Sequence, residues 1–440
     1  MNNKKWMAIL LGGIMAASLA APCSVSAAEK TTLTFWHAMG GTNGEVLQQI
    51  VDDFNASQDE IEVKAEYQGT YDDTITKLKA AMQSDSGLPD VCQMYDVGTK
   101  FMYDSGAVIP VEDKFESTGY DKSSVMEVIS SYYTVDGKQY AMPFNVSTPM
   151  LYYNKDVFEA AGLDPETPPT TYDEVLEDAK KIVESGAAPV GYSQAIYGWF
   201  FEQQLAGLGV TYGNNDNGRK EAVTAVDFDS NGGGLKVFDM WKKLYDSGCF
   251  EDYGTTTADT QTAFFSGQVG MIIESTAILK NAVDSSPFEV GTGYLPRIEQ
   301  NDEGGVIIGG GSLWLTDTGN EANEDAGWKF IEYITTPDVQ AKWSMGTGYF
   351  AINEKAYETE DMKAYLKENP NFETAINQLK DSPVNCNTAG VLSGVQTEAR
   401  LTFNEIMPQV YDGKLTTQDA VDQLAASVNK AIENYNESIK

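Results

Sequence analysis

Histidine is almost missing from this chain: one residue, His37, stands in 440. Any Ser-His-Asp or Cys-His catalytic arrangement would have to be built around it. There is no G-x-S-x-G elbow, no H-E-x-x-H helix and no G-x-x-x-x-G-K-[ST] loop, and the glycine-rich segments lack G-x-G-x-x-G spacing after a strand. Nucleophilic triads, zincin-type hydrolysis and nucleotide cofactors are therefore unsupported. Cysteine is also scarce. Apart from Cys23 near the N-terminus, Cys92, Cys249 and Cys386 form an odd, widely spaced set, which argues against a disulfide framework and for small apolar fillers. Basic charge is short as well, with 30 Lys and Arg against 65 Asp and Glu, a formal net charge of -35. Such a field repels nucleic acid and anionic membrane surfaces. The one long apolar run, Trp6 to Ala21, has roughly 15 apolar residues where a spanning helix needs ~20.

That run follows Lys4-Lys5 and ends in small residues through Val25-Ser26-Ala27, the layout of a secretory signal peptide over residues 1–27. A periplasmic or extracellular, soluble protein is expected. Cys23 keeps a second route open, a cell-surface lipoprotein, although Pro22 directly before it suits lipoprotein processing poorly.

Past the leader, Thr32 to Phe35 alternates as a strand, Gly40 to Gly44 reads as a loop, and Val46, Ile50, Val51 and Phe54 share one helix face. Ile61 to Tyr67 predicts a strand, Tyr71 to Met82 a helix and Leu88 to Met94 a strand, so parallel α/β layers are expected. Helices with aromatic faces follow at Tyr172 to Val183, Tyr197 to Leu208 and Leu235 to Tyr245. A second α/β unit contains strands at Val269 to Ile273 and Phe288 to Leu295. Gly304 to Thr316 reads as strand, glycine run and strand; helices close the chain at Asn323 to Ile334 and Gln418 to Tyr435. A length of 440 residues favours two lobes. The stretch DFDSNG, Asp227 to Gly232, matches half an EF-hand loop, but Phe238 stands where the bidentate Glu belongs, so a polar turn is expected and no metal site.

Small polar and aromatic residues recur in loops at strand ends, where open α/β sheets bind ligands. These are FWHAMGG from Phe35, YQGTY from Tyr67, MYDVG from Met94, PFNVSTP from Pro143, ESTA from Glu274, IIGGGS from Ile307, MGTGYF from Met345 and GVQTEARL from Gly394. Contributions from both halves suit a cleft between lobes.

The stretch PFNVSTPMLYYNKDVFEAAGLDPETPPTTYDEV, with FWHAM, YDVGT, IIGGGSLW and TGYFAINEKAY, resembles the extracellular solute-binding proteins that serve ABC importers of sugars and polyols (sugar-binding family 1), and within them the glycerol-phosphate branch. The likeness runs over nearly all of Thr32 to Glu433. It implies a two-lobed α/β periplasmic-binding fold with several hinge crossings: lobe 1 over residues 28–144 and 293–347, lobe 2 over 145–292 and 348–440. It also implies capture of sn-glycerol 3-phosphate or glycerophosphodiesters, delivery to a membrane-embedded permease, no catalysis and no cofactor. Nothing demands more than a monomer.

The family's ligand-contacting positions fall on Tyr71, Asp96, Ser147, Ser275, Gly310, Tyr349 and Arg400. Each has a chemistry of its own. Arg400 offers a planar donor fork to a phosphate, or otherwise makes a surface salt bridge. Asp96, where the branch has a glutamate, accepts from hydroxyls or caps a helix. Ser147, Ser275 (with Thr276 an equal candidate) and the Gly310 backbone supply donors. Tyr71 and Tyr349 offer a phenol or a ring face. Trp36, Trp199 and Tyr172 are further aromatic candidates, and His37 is expected to fix its loop by a hydrogen bond. Two rival readings remain: the same receptor class holding a neutral mono- or oligosaccharide, with Arg400 paired internally, and a secreted glycoside hydrolase using two carboxylates.

Overall fold

A computed structural model of the protein describes residues 30–84 and 87–439; the leader and Cys23 readings lie outside these. Among these described residues twelve strands build two sheets and a small hairpin. In the first sheet β1 (Thr31–His37) pairs in parallel with β2 (Ile61–Tyr67) and β3 (Val91–Tyr95). The helices between these strands form for local reasons. Gly41–Ser57 buries Leu47, Ile50, Val51 and Phe54 along one stripe. Tyr71–Met82 starts at a capping box between Thr70 and Asp73. The loop expected to run to Gly44 is shorter, because Gly41, at a φ of +54°, already begins the helix.

β4 (Val108–Ile109) forms the far edge of this sheet, and β5 (Thr134–Val135) and β6 (Lys138–Gln139) make the separate hairpin. β7 (Met142–Ser147) belongs to the first sheet and β8 (Pro149–Asn154) to the second, so the chain passes between them at Thr148. The second sheet runs β11-β8-β10-β9, with β9 (Val190–Ser193), β10 (Val269–Ser275) and β11 (Val290–Gly293). β12 (Gly309–Thr316) then returns and inserts antiparallel between β3, β4 and β7. Parallel pairing thus joins β1 to β2 and β3 in the first sheet and β9 to β10 in the second, and the remaining strand pairs are antiparallel. The strand expected before the glycine run does not form: Val306 to Ile308 is buried outside any strand, and β12 begins at Gly309.

A small apolar cluster around Ala351 and Met362 and two large ones result among the described residues. One surrounds the first sheet, with Phe35, Val91, Trp314, Phe330 and Trp343, and continues across the seam onto Met150, Tyr152 and Ile272 of the second sheet. The other packs Tyr172, Phe201, Trp241 and Phe403 among the helices of the second lobe. Cys92 and Cys249 are buried and all three described cysteines are free, as their odd count and spacing led one to expect. Asp227 to Gly232 is a polar turn leading into the helix Gly233–Asp246: the Asp227 carbonyl accepts from Ser230 and Asn231, and no metal-holding cluster of His, Cys, Asp and Glu occurs among the described residues.

Candidate functional site

Arg400 lies in the helix Gln396–Tyr411 of the second lobe and is 8% exposed. Its Nε donates to Glu202 Oε1 at 2.7 Å and its Nη2 to Glu202 Oε2 at 2.7 Å, the bidentate fork of a strong pair. Nη2 also donates to Asp96 Oδ2 at 2.8 Å. Asp96 opens the short turn after β3, in the first sheet, so this bond spans the two lobes. Asp96 makes no capping bond; its carboxylate is turned to the arginine instead. The salt bridge is buried rather than on the surface, with Asp96 5% and Glu202 6% exposed.

Glu202 sits in the helix Gly198–Gly207, which is buried from Gly198 to Ala206. Its Oε1 accepts a third bond, from Gln396 Nε2 at 2.7 Å. Burial pushes the Glu202 carboxyl above the ordinary range, and the Arg400 and Gln396 donors work against that shift. Burial alone would lower Arg400, but the charges of Asp96 and Glu202 outweigh it and drive the guanidinium well above its ordinary value. Gly198 makes the close approach possible, since a Cβ there would lie 2.5 Å from the Arg400 Cα.

Around this cluster the first sheet and the segments packed on it supply Tyr71, Ser147, Gly310 and Tyr349. Tyr71 begins its helix, stacks on Tyr95 with centroids 5.1 Å apart, and accepts from Asn145 Nδ2 at 2.7 Å. Gly310 pairs with Val146 at a φ of +93°, and a Cβ there would stand 1.9 Å from the Asn145 carbonyl oxygen, so only glycine fits. A bridge between Val146 and Phe350 brings Tyr349 beside β7, where its phenol interacts with Asn145 and Tyr71. Trp343 stacks against Tyr349 with centroids 5.7 Å apart.

Ser275 ends β10 opposite Pro149; its hydroxyl accepts from the Ala277 amide at 3.2 Å, and the residue is half-buried. Thr276 is fully buried and its hydroxyl accepts from the Thr148 amide at 3.1 Å, which stitches the crossing together. Trp199 lies against Gly309, where a Cβ would come within 2.7 Å of the indole. Tyr172 is a core residue bonded to Gln204, and Trp36 is tied to Glu66. His37 Nδ1 accepts from the Met39 amide at 3.3 Å, the loop-fixing bond expected of it, and burial lowers its pKa to about 4.

Arg400, Asp96 and Glu202 form one bonded cluster, and Tyr71 and Tyr349 share Asn145 beside it. The cavities of 570 and 970 Å³ lie elsewhere and are lined by none of the seven residues. Three polar atoms at the seam have no hydrogen-bond partner among the described residues and are not fully buried: Arg400 Nη1, Asp96 Oδ1 and Ser147 Oγ. Together they can give and take hydrogen bonds from a small polar ligand. Glu202 is the residue that sequence reasoning missed. Its signal was a lone carboxylate in the apolar run WFFEQQLA, where a charge must be paired.

The chain matches the bacterial extracellular solute-binding protein family over residues 49–374. It is 30% identical over 417 residues to the sn-glycerol-3-phosphate-binding periplasmic protein UgpB of Escherichia coli K12, covering 93% of this chain and 94% of that one. Among solved structures, UgpB from Mycobacterium tuberculosis in complex with glycerophosphocholine superposes with a TM-score of 0.79 at 20% identity, over 93% of this chain and 100% of the other. The cyclic α-maltosyl-1,6-maltose binding protein of Arthrobacter globiformis gives 0.77 at 26%, over 92% and 100%. The helices of the described residues include none long and apolar enough to cross a membrane. The chain therefore belongs to the bacterial extracellular solute-binding proteins and is a substrate-binding component of an ABC importer, not an enzyme.

Proposed function

We propose that the protein captures glycerophosphodiesters or sn-glycerol 3-phosphate outside the inner membrane and delivers them to its permease. The observation that carries this reading is Arg400 at the seam: a buried guanidinium with Nη1 unspent, bonded directly to Asp96 of the first lobe and Glu202 of the second. Kinship to a glycerol-3-phosphate-binding protein over most of both chains points the same way. In this reading the Nη1 hydrogens and the Ser147 hydroxyl meet phosphate oxygens, and Asp96 accepts from glycerol hydroxyls. Tyr71, Tyr349, Ser275 and Gly310 frame the pocket. The lobes, residues 28–144 with 293–347 and residues 145–292 with 348–440, open and close about the crossings, and ligand favours the closed form by touching both. The mature protein, freed of residues 1–27, works as a monomer.

A second reading has its own observation. Arg400 already faces two carboxylates, so a neutral oligosaccharide needs no charge from it. Thermal melting of the mature chain against glycerophosphoglycerol, sn-glycerol 3-phosphate, phosphate, glycerol and a panel of maltooligosaccharides separates the two. A ligand at ~100 times its dissociation constant adds ~2.7 kcal/mol. Stabilisation by the glycerophosphates alone, lost in Arg400→Lys, supports the first reading; lysine keeps Glu202 paired but loses the fork. Stabilisation by a sugar alone, unchanged in Arg400→Lys, replaces it with the second.

A further inference from the structure

We propose that Glu202 sets the ligand charge this site accepts and makes it select phosphodiesters over phosphate monoesters. The inference rests on the glycerophosphate reading above. Glu202 is not placed to touch a ligand: Oε1 accepts from Arg400 and Gln396, Oε2 accepts from Arg400, and the helix around it is buried. Its position has one electrostatic effect, which is to cancel the charge of Arg400 where a ligand would meet it.

The cluster can be counted. Arg400 contributes one positive charge, and Glu202 and Asp96 one negative charge each, all in contact and all at most 8% exposed. Glu202 is counted as a carboxylate because it accepts three hydrogen bonds, two of them from the Arg400 guanidinium. Two other cations of low exposure are engaged elsewhere. Arg219 is spent on the carbonyls of Tyr132, Ala389 and Gly390, and Lys100 pairs with Asp104.

An anion entering here finds hydrogen-bond donors, namely Arg400 Nη1 and Ser147 Oγ, set in a field that is negative overall. A phosphodiester carries one negative charge and exchanges its water for those donors at modest cost. A monoester carries close to two at neutral pH, because its second pKa is near 6. Its extra charge is repelled by the cluster in a poorly solvated seam, where such repulsion is several times stronger than in water. With glutamine at position 202 the cluster would be neutral and the penalty on the second charge would fall.

Titration calorimetry on the mature protein tests this, with glycerophosphoglycerol as a diester lacking any cation and sn-glycerol 3-phosphate as the monoester, at pH 7.5 and fixed ionic strength. Wild type is expected to bind the diester about tenfold or more tighter. Glu202→Gln, which keeps the size of the side chain and an acceptor oxygen, is expected to shrink or reverse that ratio by strengthening the monoester. Binding of both ligands with the same ratio in wild type and Glu202→Gln overturns the role of Glu202 and leaves the ligand reading standing. Binding of neither ligand overturns both. If Glu202→Gln does not fold, the wild-type ratio is followed from pH 8 to pH 5: it must fall as the monoester takes up its second proton, and a flat ratio overturns the proposal.

Discussion

Replacing Arg400 with alanine removes the one cation between two buried carboxylates, and its cost can be worked from the contacts. Three charge-assisted hydrogen bonds disappear, two to Glu202 and one to Asp96. Asp96 Oδ1 is not fully buried, whereas Glu202 keeps only its bond from Gln396. Leaving a buried carboxylate without its partner costs about 3–5 kcal/mol. The loss should depend on pH with a defined sign. Burial raises the Glu202 carboxyl, and without Arg400 it rises further, so the folded state binds a proton that the unfolded state has released. Stability of the variant is therefore greatest below the ordinary carboxylate pKa, falls as pH rises through the window up to the raised folded value, and is level above it. Calorimetric melts of wild type and Arg400→Ala at pH 5 to 8 measure both effects. A deficit under about 1 kcal/mol, the worth of an exposed pair, or a deficit that does not shrink on acidification, would refute the reasoning.

Gly310→Ala puts a Cβ 1.9 Å from the Asn145 carbonyl oxygen at a φ of +93°. It should cost about 2 kcal/mol or more and weaken ligand-induced stabilisation, read from melts with and without ligand. His37, lowered to about 4 by burial, should stay neutral from pH 5 upward, so its ring resonances do not titrate between pH 5 and 8. Because the folded form resists protonation, the contribution of His37 to stability is lost as pH falls from about 6.5 through 4. The Cys92 thiol, pushed up to about 12, should not react with a thiol reagent at pH 8 in the native protein and should react at once in urea.

Periodicity found the elements whose burial follows a single rule. The stripe of Ile50, Val51 and Phe54, the alternation of Ile61 to Tyr67 and the capped helix from Tyr71 were all legible, because each faces one sheet. Ile307 and Ile308 misled, because they are apolar and buried yet serve a connection: Gln203 exchanges hydrogen bonds with both backbone groups of Ile307, replacing a ladder. β12 could not be placed from its own residues either, since insertion beside β3 and β7 is decided by partners more than 160 residues away in the chain. At the site, the resemblance supplied seven positions, of which Asp96 and Arg400 are bonded to each other and Tyr71 and Tyr349 share Asn145. What stayed hidden was the pairing of Arg400 with Glu202, since a helix reads the same whether its charged residue meets solvent or a buried cation.

Two of the three arginines, the half-buried Arg219 and the buried Arg400, sit at junctions between the lobes, and the difference between them bears on how the protein can move. Arg219 comes from the second-lobe loop after Gly218 and donates to the carbonyls of Tyr132, in the first cluster, and of Ala389 and Gly390, with Tyr132 also under its guanidinium at 5.1 Å. Burial lowers it to about 10, so it stays charged throughout the physiological range. Carbonyl acceptors carry no charge to titrate and cannot leave, so this strap persists whatever the seam holds. Arg400 is held by side-chain carboxylates, and Asp96 is the partner from the opposite lobe. A ligand that bonds Asp96 or Nη1 competes directly with that interlobe contact or completes it. Parting of the lobes would break the Arg400–Asp96 bond, which a ligand can replace, together with the Tyr95–Thr397 and Tyr435–Asp104 bonds, and would leave the buried Arg400–Glu202 pair intact inside the second lobe.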